Sequence, residues 1–302
     1  MNSVVFLKLI RWKNLLLIIY VYLLIKFLLF PSFSIETALS LFQFFILLLS
    51  IVLITAAGYI INDIEDVISD KINKPKKLIV SKVISIEKAL QWYKITNTLG
   101  IALGILFCLN IGNPTFSFIF IGTPLLLYFY AKKLKSKPFI GNFIVAFLIG
   151  FSIFILAIFE FGFLIKNEPK HLAFNIIIAL SIFAFFTNLT REIIKDIEDI
   201  NGDYALKMKT LPIVLGVTRA KNIALITCIF PIGLLLIIFL NYSELYKYTM
   251  LYLLITVFLP LLYTAIKLFS TKKKKNFKKI STILKITMFL GISSLIIFSK
   301  FH

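Results

Sequence analysis

The sequence predicts an all-α polytopic membrane protein, a bundle of nine transmembrane helices built from two related halves around a central cavity. Three observations carry this expectation. Hydrophobic residues make up 60% of the 302 positions and the mean hydropathy is +0.96, far more apolar than a soluble core requires. The apolar residues form nine continuous runs of about 20, the length that crosses a hydrocarbon core as a helix, and they lack the alternation of a lipid-facing strand. The cations are segregated: of 33 Lys and Arg, 26 fall at the N-terminus and in the loops after even-numbered runs.

The first run, near 10–30, follows Lys8, Arg11 and Lys13, and no small-residue cleavage site comes after Phe30. It therefore reads as a retained helix rather than a secretory leader. Further spans are expected near 36–62, 86–110, 114–131, 140–161, 171–193, 219–240, 246–268 and 279–299. Only Lys26, Lys166, Lys170, Lys247 and Lys300 are expected on the side opposite the basic loops. The positive-inside rule then places the N-terminus in the cytoplasm, in a multi-pass protein of the inner or plasma membrane. The net charge of +19 is scattered over short interhelical loops, so nucleic acid is excluded as a partner. The lysines from 272 to 279 read as an anchor against anionic membrane lipids. Pro124, Pro231 and Pro260 predict kinks within spans. Gly100 and Gly104 form a small-xxx-small pair for close helix packing. Cys108 and Cys228 are expected to be small buried residues.

Acids are scarce and clustered. Nine of the 14 lie in two short stretches, Asp63, Glu65, Asp66 and Asp70 at the end of span 2 and Glu192, Asp196, Glu198, Asp199 and Asp203 at the end of span 6. Asp63, Asp66 and Asp70 match Asp196, Asp199 and Asp203 at a constant offset of 133 residues. Lys74-x-Lys76-x-Leu78 and Lys207-x-Lys209-x-Leu211 continue the match, which suggests halves of roughly 1–135 and 136–302. Spacings of i, i+3 and i+7 put each acid set on one helical face. Three like charges so arranged require a cation. Hard carboxylate oxygens suit Mg²⁺, which is usually held by one or two carboxylates together with substrate phosphates. The expected occupant is a Mg²⁺-bound diphosphate, with Arg191 and Lys195 one turn apart on the second acidic helix to grip its oxygens. A cation-coupled transporter is the alternative from another class. It favours acids at mid-membrane and inverted halves, whereas four spans separate these motifs and the halves run parallel.

With Asn62-Asp63-x-x-Asp66-x-x-x-Asp70, Asp196-x-x-Asp199-x-x-x-Asp203 and nine spans, the chain resembles the UbiA-type intramembrane prenyltransferases over nearly its whole length. The resemblance implies an enzyme that transfers an isoprenyl group from its diphosphate through an allylic cation. It implies that Asn62, Asp66, Asp70, Asp199 and Asp203 hold Mg²⁺ and the diphosphate, assisted by Asp63 and Asp196. Tyr128 and Lys132 match a Tyr-x-x-x-Lys motif near the diphosphate and the nascent cation, and Arg11 and Asn14 match an Arg-x-x-Asn element facing the substrate cavity. Within the family, the segment from Arg191 to Asp203 followed by Thr210-Leu-Pro212, and Lys132 to Lys135 leading to Ile140-Gly-Asn142, are most similar to the branch whose acceptor is geranylgeranylglycerol phosphate. A lipid or amphiphilic acceptor is therefore expected, an aromatic quinone precursor being the alternative. The chain departs from the family after the first motif, where an Arg-Pro-x-Pro-Ser-Gly-like stretch is replaced by Lys76-Lys77-Leu78-Ile79-Val80-Ser81-Lys82.

Overall fold

The computed structural model describes residues 3–73, 75–76, 78–161, 168–271 and 274–301. Lys74, Lys77, Lys166, Lys272 and Lys273 lie outside the described residues. Among the described residues nine helices are long and apolar enough to span a membrane: Trp12–Ser32, Leu41–Glu65, Ile86–Asn110, Pro114–Lys132, Ile140–Phe161, Pro169–Ala205, Val217–Tyr242, Lys247–Ser270 and Asn276–Phe301. They are numbered here as spans 1 to 9. No strand forms among these residues beyond an isolated bridge between Val80 and Ile84. The protein is an all-α, multi-pass membrane protein, as hydropathy and run length require.

The chain divides into two compact units. One comprises Met1–Tyr20, Leu39–Lys137 and Asn201–Met208, the other Val21–Ala38, Pro138–Ile200 and Lys209–His302. In the first unit, span 2 opens with a capping box in which the Ser40 hydroxyl accepts from the Gln43 amide and the Gln43 side chain accepts from the Ser40 amide, satisfying donors that a helix start leaves unpaired. Span 2 packs chiefly against span 3 and then against span 4. The two glycines singled out in the sequence make this possible. A Cβ on Gly100 would press on Ile54, and one on Gly104 would fall on the Phe120 ring. The close approach lets the Ser50 hydroxyl reach the Gly100 carbonyl at 2.7 Å.

The segment that departs from the family pattern is anchored by burial. Leu78, Val80 and Ile84 are buried, and Val80 and Ile84 join Leu9, Ile60, Val67 and Ala89 in one apolar cluster. Ser81 turns the chain in the left-handed region, with φ 69°, and its amide donates to the Ile84 carbonyl. Where proline stiffness is missing, hydrophobic contact holds this loop.

The second unit buries Lys26, which is expected on the side opposite the basic loops. It sits in a π-helical turn, Ile25–Leu29, within span 1, 5% exposed, with its ammonium 2.7 Å from the Glu160 carboxylate of span 5. A lone cation at this depth is costly, and its partner removes most of that cost. The Tyr22 hydroxyl, one turn earlier, donates to the Ser152 carbonyl at 2.6 Å, so spans 1 and 5 are joined at two polar points. None of the three prolines ends a span. Pro124 and Pro231 lie inside helices, and Pro260 follows a π-helical turn, Leu254–Phe258, that loosens the ladder just before it.

Candidate active site

Span 2 stops one residue before the second aspartate of its motif. The helix ends at Glu65, Asp66 takes φ −89° and ψ 2°, and a short helix, Val67–Asn73, carries Asp70. Asp63, Asp66 and Asp70 therefore do not line one straight helix, as their spacing predicts. They follow a bent path that is kept in register by the amide of Asp66 donating to the Asn62 carbonyl at 2.9 Å and that of Asp70 to the Asp66 carbonyl at 2.8 Å. The second motif does conform. Glu168–Ala205 is one uninterrupted helix, so Asp196, Asp199 and Asp203 share a face.

The first unit gathers Arg11, Asn14, Asn62, Asp63, Asp66, Asp70, Tyr128, Lys132 and Asp203. Arg11 joins the helix Ser3–Leu9 to span 1 in the left-handed region, at φ 51°, a conformation that disfavours a side chain. It is held there by an ion pair to Asp63 at 2.7 Å and by stacking over Tyr59, 4.9 Å from the ring centroid. Tyr59 also accepts a hydrogen bond from Asn14 Nδ2 at 3.3 Å. Desolvation lowers the basicity of Arg11, but Asp63, with Tyr59 and Asp66 nearby, more than reverses this and leaves its pKa above the ordinary value.

Asp66 is engaged on both oxygens. Asn62 Nδ2 donates to one at 2.6 Å and the Lys135 ammonium lies 2.5 Å from the other. Lys132, one turn beyond Tyr128, sits over that ring with its ammonium 4.6 Å from the centroid, so the aromatic face already carries a cation. The end of the second acidic helix docks on the first motif's short helix. The Gly202 amide donates to Asn73 Oδ1 at 3.1 Å, which sets Asp203, itself buried, beside the segment that carries Asp70.

The remaining candidates belong to the second unit. Arg191 and Lys195 converge on one carboxylate of Glu192, at 3.1 and 2.5 Å. Asp196 accepts from Asn142 Nδ2 at 2.8 Å. Asp199 lies one turn before Asp203 on the same helix. Beside the candidates stand residues with no predicted role, Tyr59, Asn73 and Lys135 in the first unit and Asn142 and Glu192 in the second. Lys135 and Asn142 stand in the segments most similar to the family branch, and Glu192 was counted in the acidic cluster. Tyr59 and Asn73 carry no sequence signal.

The donor set fits Mg²⁺. Its atoms are hard carboxylate and carboxamide oxygens, and Asn62 Oδ1 is buried without a hydrogen-bond partner, beside Asp66. A buried oxygen left unsatisfied is unfavourable by about 1–3 kcal/mol, and a cation would relieve it. Among the described residues no three acidic, imidazole or thiol side chains gather closely enough to hold a metal unaided, which accords with an ion that takes the rest of its ligands from a substrate phosphate.

Comparison with known proteins gives the same answer. The model of the UbiA prenyltransferase family matches residues 12–291. Digeranylgeranylglyceryl phosphate synthase of Saccharolobus solfataricus is 39% identical over 247 residues, 80% of this chain and 79% of that protein. The enzyme of the same name from Methanosphaera stadtmanae is 34% identical over 82% of this chain and 84% of its own. A solved structure concerned with digeranylgeranylglyceryl phosphate synthase in membranes has a TM-score of 0.68 and 26% identity, with 99% of both chains covered. A UbiA homologue from Archaeoglobus fulgidus, solved with GPP and Mg²⁺, shares the fold at a TM-score of 0.55 and 16% identity, over 96% of this chain and 99% of its own. This chain belongs to the UbiA prenyltransferase family.

Proposed function

We propose that the protein transfers a geranylgeranyl group from geranylgeranyl diphosphate to the free hydroxyl of geranylgeranylglycerol phosphate, in a Mg²⁺-dependent reaction at the cytoplasmic edge of the cell membrane. The observation that carries this reading is the duplicated oxygen-donor motif, whose first copy leaves Asn62 Oδ1 unpartnered beside Asp66. The choice of acceptor rests on relatives named digeranylgeranylglyceryl phosphate synthase, and the Archaeoglobus fulgidus homologue supports the pairing of an isoprenyl diphosphate with Mg²⁺. The matched motifs support an origin of the chain from two related halves.

Bound Mg²⁺ supplies divalent charge that offsets the negative charge building on the diphosphate as its C–O bond breaks. Asn62, Asp66, Asp70, Asp196, Asp199 and Asp203 would share the holding of Mg²⁺ with the diphosphate oxygens. Asp63 braces the site through Arg11, and Asn142 orients Asp196. Arg191, Lys195 and Lys132 neutralise phosphate oxygens, Glu192 holding the first two poised side by side. Arg11 and Asn14 border the substrate cavity. The Tyr128 ring face, which now carries the Lys132 ammonium, stabilises the allylic cation. The C–O bond breaks with its electron pair passing to diphosphate, the acceptor oxygen bonds to the resulting allylic carbon, and the hydroxyl proton passes to water or to the released diphosphate. Donor and acceptor reach the site from the bilayer, since each buried CH₂ of an isoprenoid tail favours an apolar seat by about 0.8 kcal/mol.

The test is an acceptor competition. Membranes holding the protein are given labelled geranylgeranyl diphosphate, Mg²⁺ and equal amounts of geranylgeranylglycerol phosphate and an aromatic quinone precursor, and the labelled lipid is identified. Digeranylgeranylglyceryl phosphate is the expected product. A prenylated aromatic product would overturn the acceptor assignment while leaving the enzyme class intact.

A further inference from the structure

Lys135 occupies a position where a metal would meet Asp66. Its ammonium lies 2.5 Å from Asp66 Oδ1, with the two side chains 12% and 23% exposed. Asp66 Oδ2 accepts from Asn62, so each oxygen of this carboxylate already has a partner. The contact is built into the local fold. Span 4 ends at Lys132, and the 3₁₀ turn Leu134–Ser136 follows, closed by the Lys137 amide on the Leu134 carbonyl and the Ser136 hydroxyl on the Lys133 carbonyl. The two lysines that bracket this corner are thereby assigned differently, Lys132 to the Tyr128 ring and Lys135 to Asp66.

An ammonium at this oxygen competes with Mg²⁺, which demands near-octahedral oxygen ligands at about 2.0–2.1 Å, because two like charges repel at such short range. Metal entry therefore favours release of Lys135, and a released ammonium among partly buried groups needs a new anion. The diphosphate arriving with the metal is such an anion, and a four-carbon stem lets the lysine turn toward it without any movement of the backbone.

Resting on the prenyltransferase reading above, we propose that Lys135 is an exchangeable counter-ion. It holds Asp66 while the site is empty and passes to the diphosphate when metal and donor bind, so that each ligand strengthens the binding of the other. This is a coupling between two ligands, and by linkage it must be reciprocal.

The experiment uses the full-length protein in detergent and measures Mn²⁺ affinity by electron paramagnetic resonance, with and without the unreactive thiolodiphosphate analogue of the donor. In the wild type, Mn²⁺ should bind at least tenfold more tightly when the analogue is present. In Lys135→Met, Mn²⁺ alone should bind at least threefold more tightly than in the wild type, and the enhancement by the analogue should shrink at least fivefold. Lys135→Arg, which keeps the charge, should retain most of the enhancement. A lysine that merely stabilises the fold would lower the melting temperature and leave the ratio of affinities unchanged. An unchanged ratio in Lys135→Met, or a wild type with no enhancement, overturns the proposal. Prenyl transfer assayed in parallel separates the two readings. Normal coupling without transfer would reject the proposed function and keep the exchange, and transfer with an unchanged ratio would do the reverse.

Discussion

Gly202 precedes the last aspartate of the second motif, and its surroundings leave no space for a side chain. Its amide donates to Asn73 Oδ1 at 3.1 Å, and a Cβ would fall on the Asn73 carboxamide. Gly202→Ala should therefore push Asp203 away from the short helix that carries Asp70. We expect at least a tenfold loss of transfer rate, with a stability cost of about 1–3 kcal/mol typical of overpacking, read from initial rates and a melting curve on the same preparation. A wild-type rate would separate the position of Asp203 from catalysis. The acids themselves were legible in the sequence, because the same spacing recurs 133 residues later in a chain with only 14 of them. Their partners were not. Arg11 reaches Asp63 across 52 positions, Lys135 reaches Asp66 across 69, Asn142 reaches Asp196 across 54 and Asn73 reaches Gly202 across 129. Spacing along one helix carries no information about contacts made by a different one.

The elements were legible to the extent that hydropathy governs them. All nine spans stand where apolar runs of sufficient length place them, and the glycine pair of span 3 marks a close contact, as its spacing indicates. That contact is testable. Gly104→Ala puts a methyl group on the Phe120 ring, whereas a Cβ on Gly122 in span 4 meets nothing within 4 Å. Gly104→Ala should lower the melting temperature by several degrees, while Gly122→Ala should leave it unchanged or raise it slightly, since alanine is the better helix former by about 1 kcal/mol. Equal effects would remove the packing argument. Two features escaped the sequence for identifiable reasons. The end of span 2 at Glu65 has no signal in the acids, whose matching set in the second motif lies in an unbroken helix, and periodicity alone carries a stripe straight on through Asp66. The burial of Lys26 is the other, because a cation near the end of an apolar run ordinarily marks an interface. The residue that permits its burial, Glu160, lies 134 positions away.

At the scale of the whole molecule, a membrane protein poor in acids has concentrated them at two helix ends and met the first set with cations from other elements. Arg11 faces Asp63, and Lys135 faces Asp66. On the proposed reading the Arg11 pair stays as a brace, and the Lys135 pair is the one exchanged when a metal and an ionising diphosphate bind together. The atypical loop after the first motif fits the same account, because its buried Leu78, Val80 and Ile84 fix the segment beside that motif without its prolines. Family membership establishes a prenyltransferase, and the central claim is that both acidic motifs act in the one reaction. The direct measurement is release of diphosphate and formation of labelled lipid from geranylgeranyl diphosphate and geranylgeranylglycerol phosphate by purified wild type, Asp66→Ala and Asp199→Ala. The account predicts wild-type turnover that EDTA abolishes and Mg²⁺ restores, and a loss of at least a hundredfold in each variant, about 2.7 kcal/mol or more of transition-state stabilisation. Wild-type rates in either variant would contradict it.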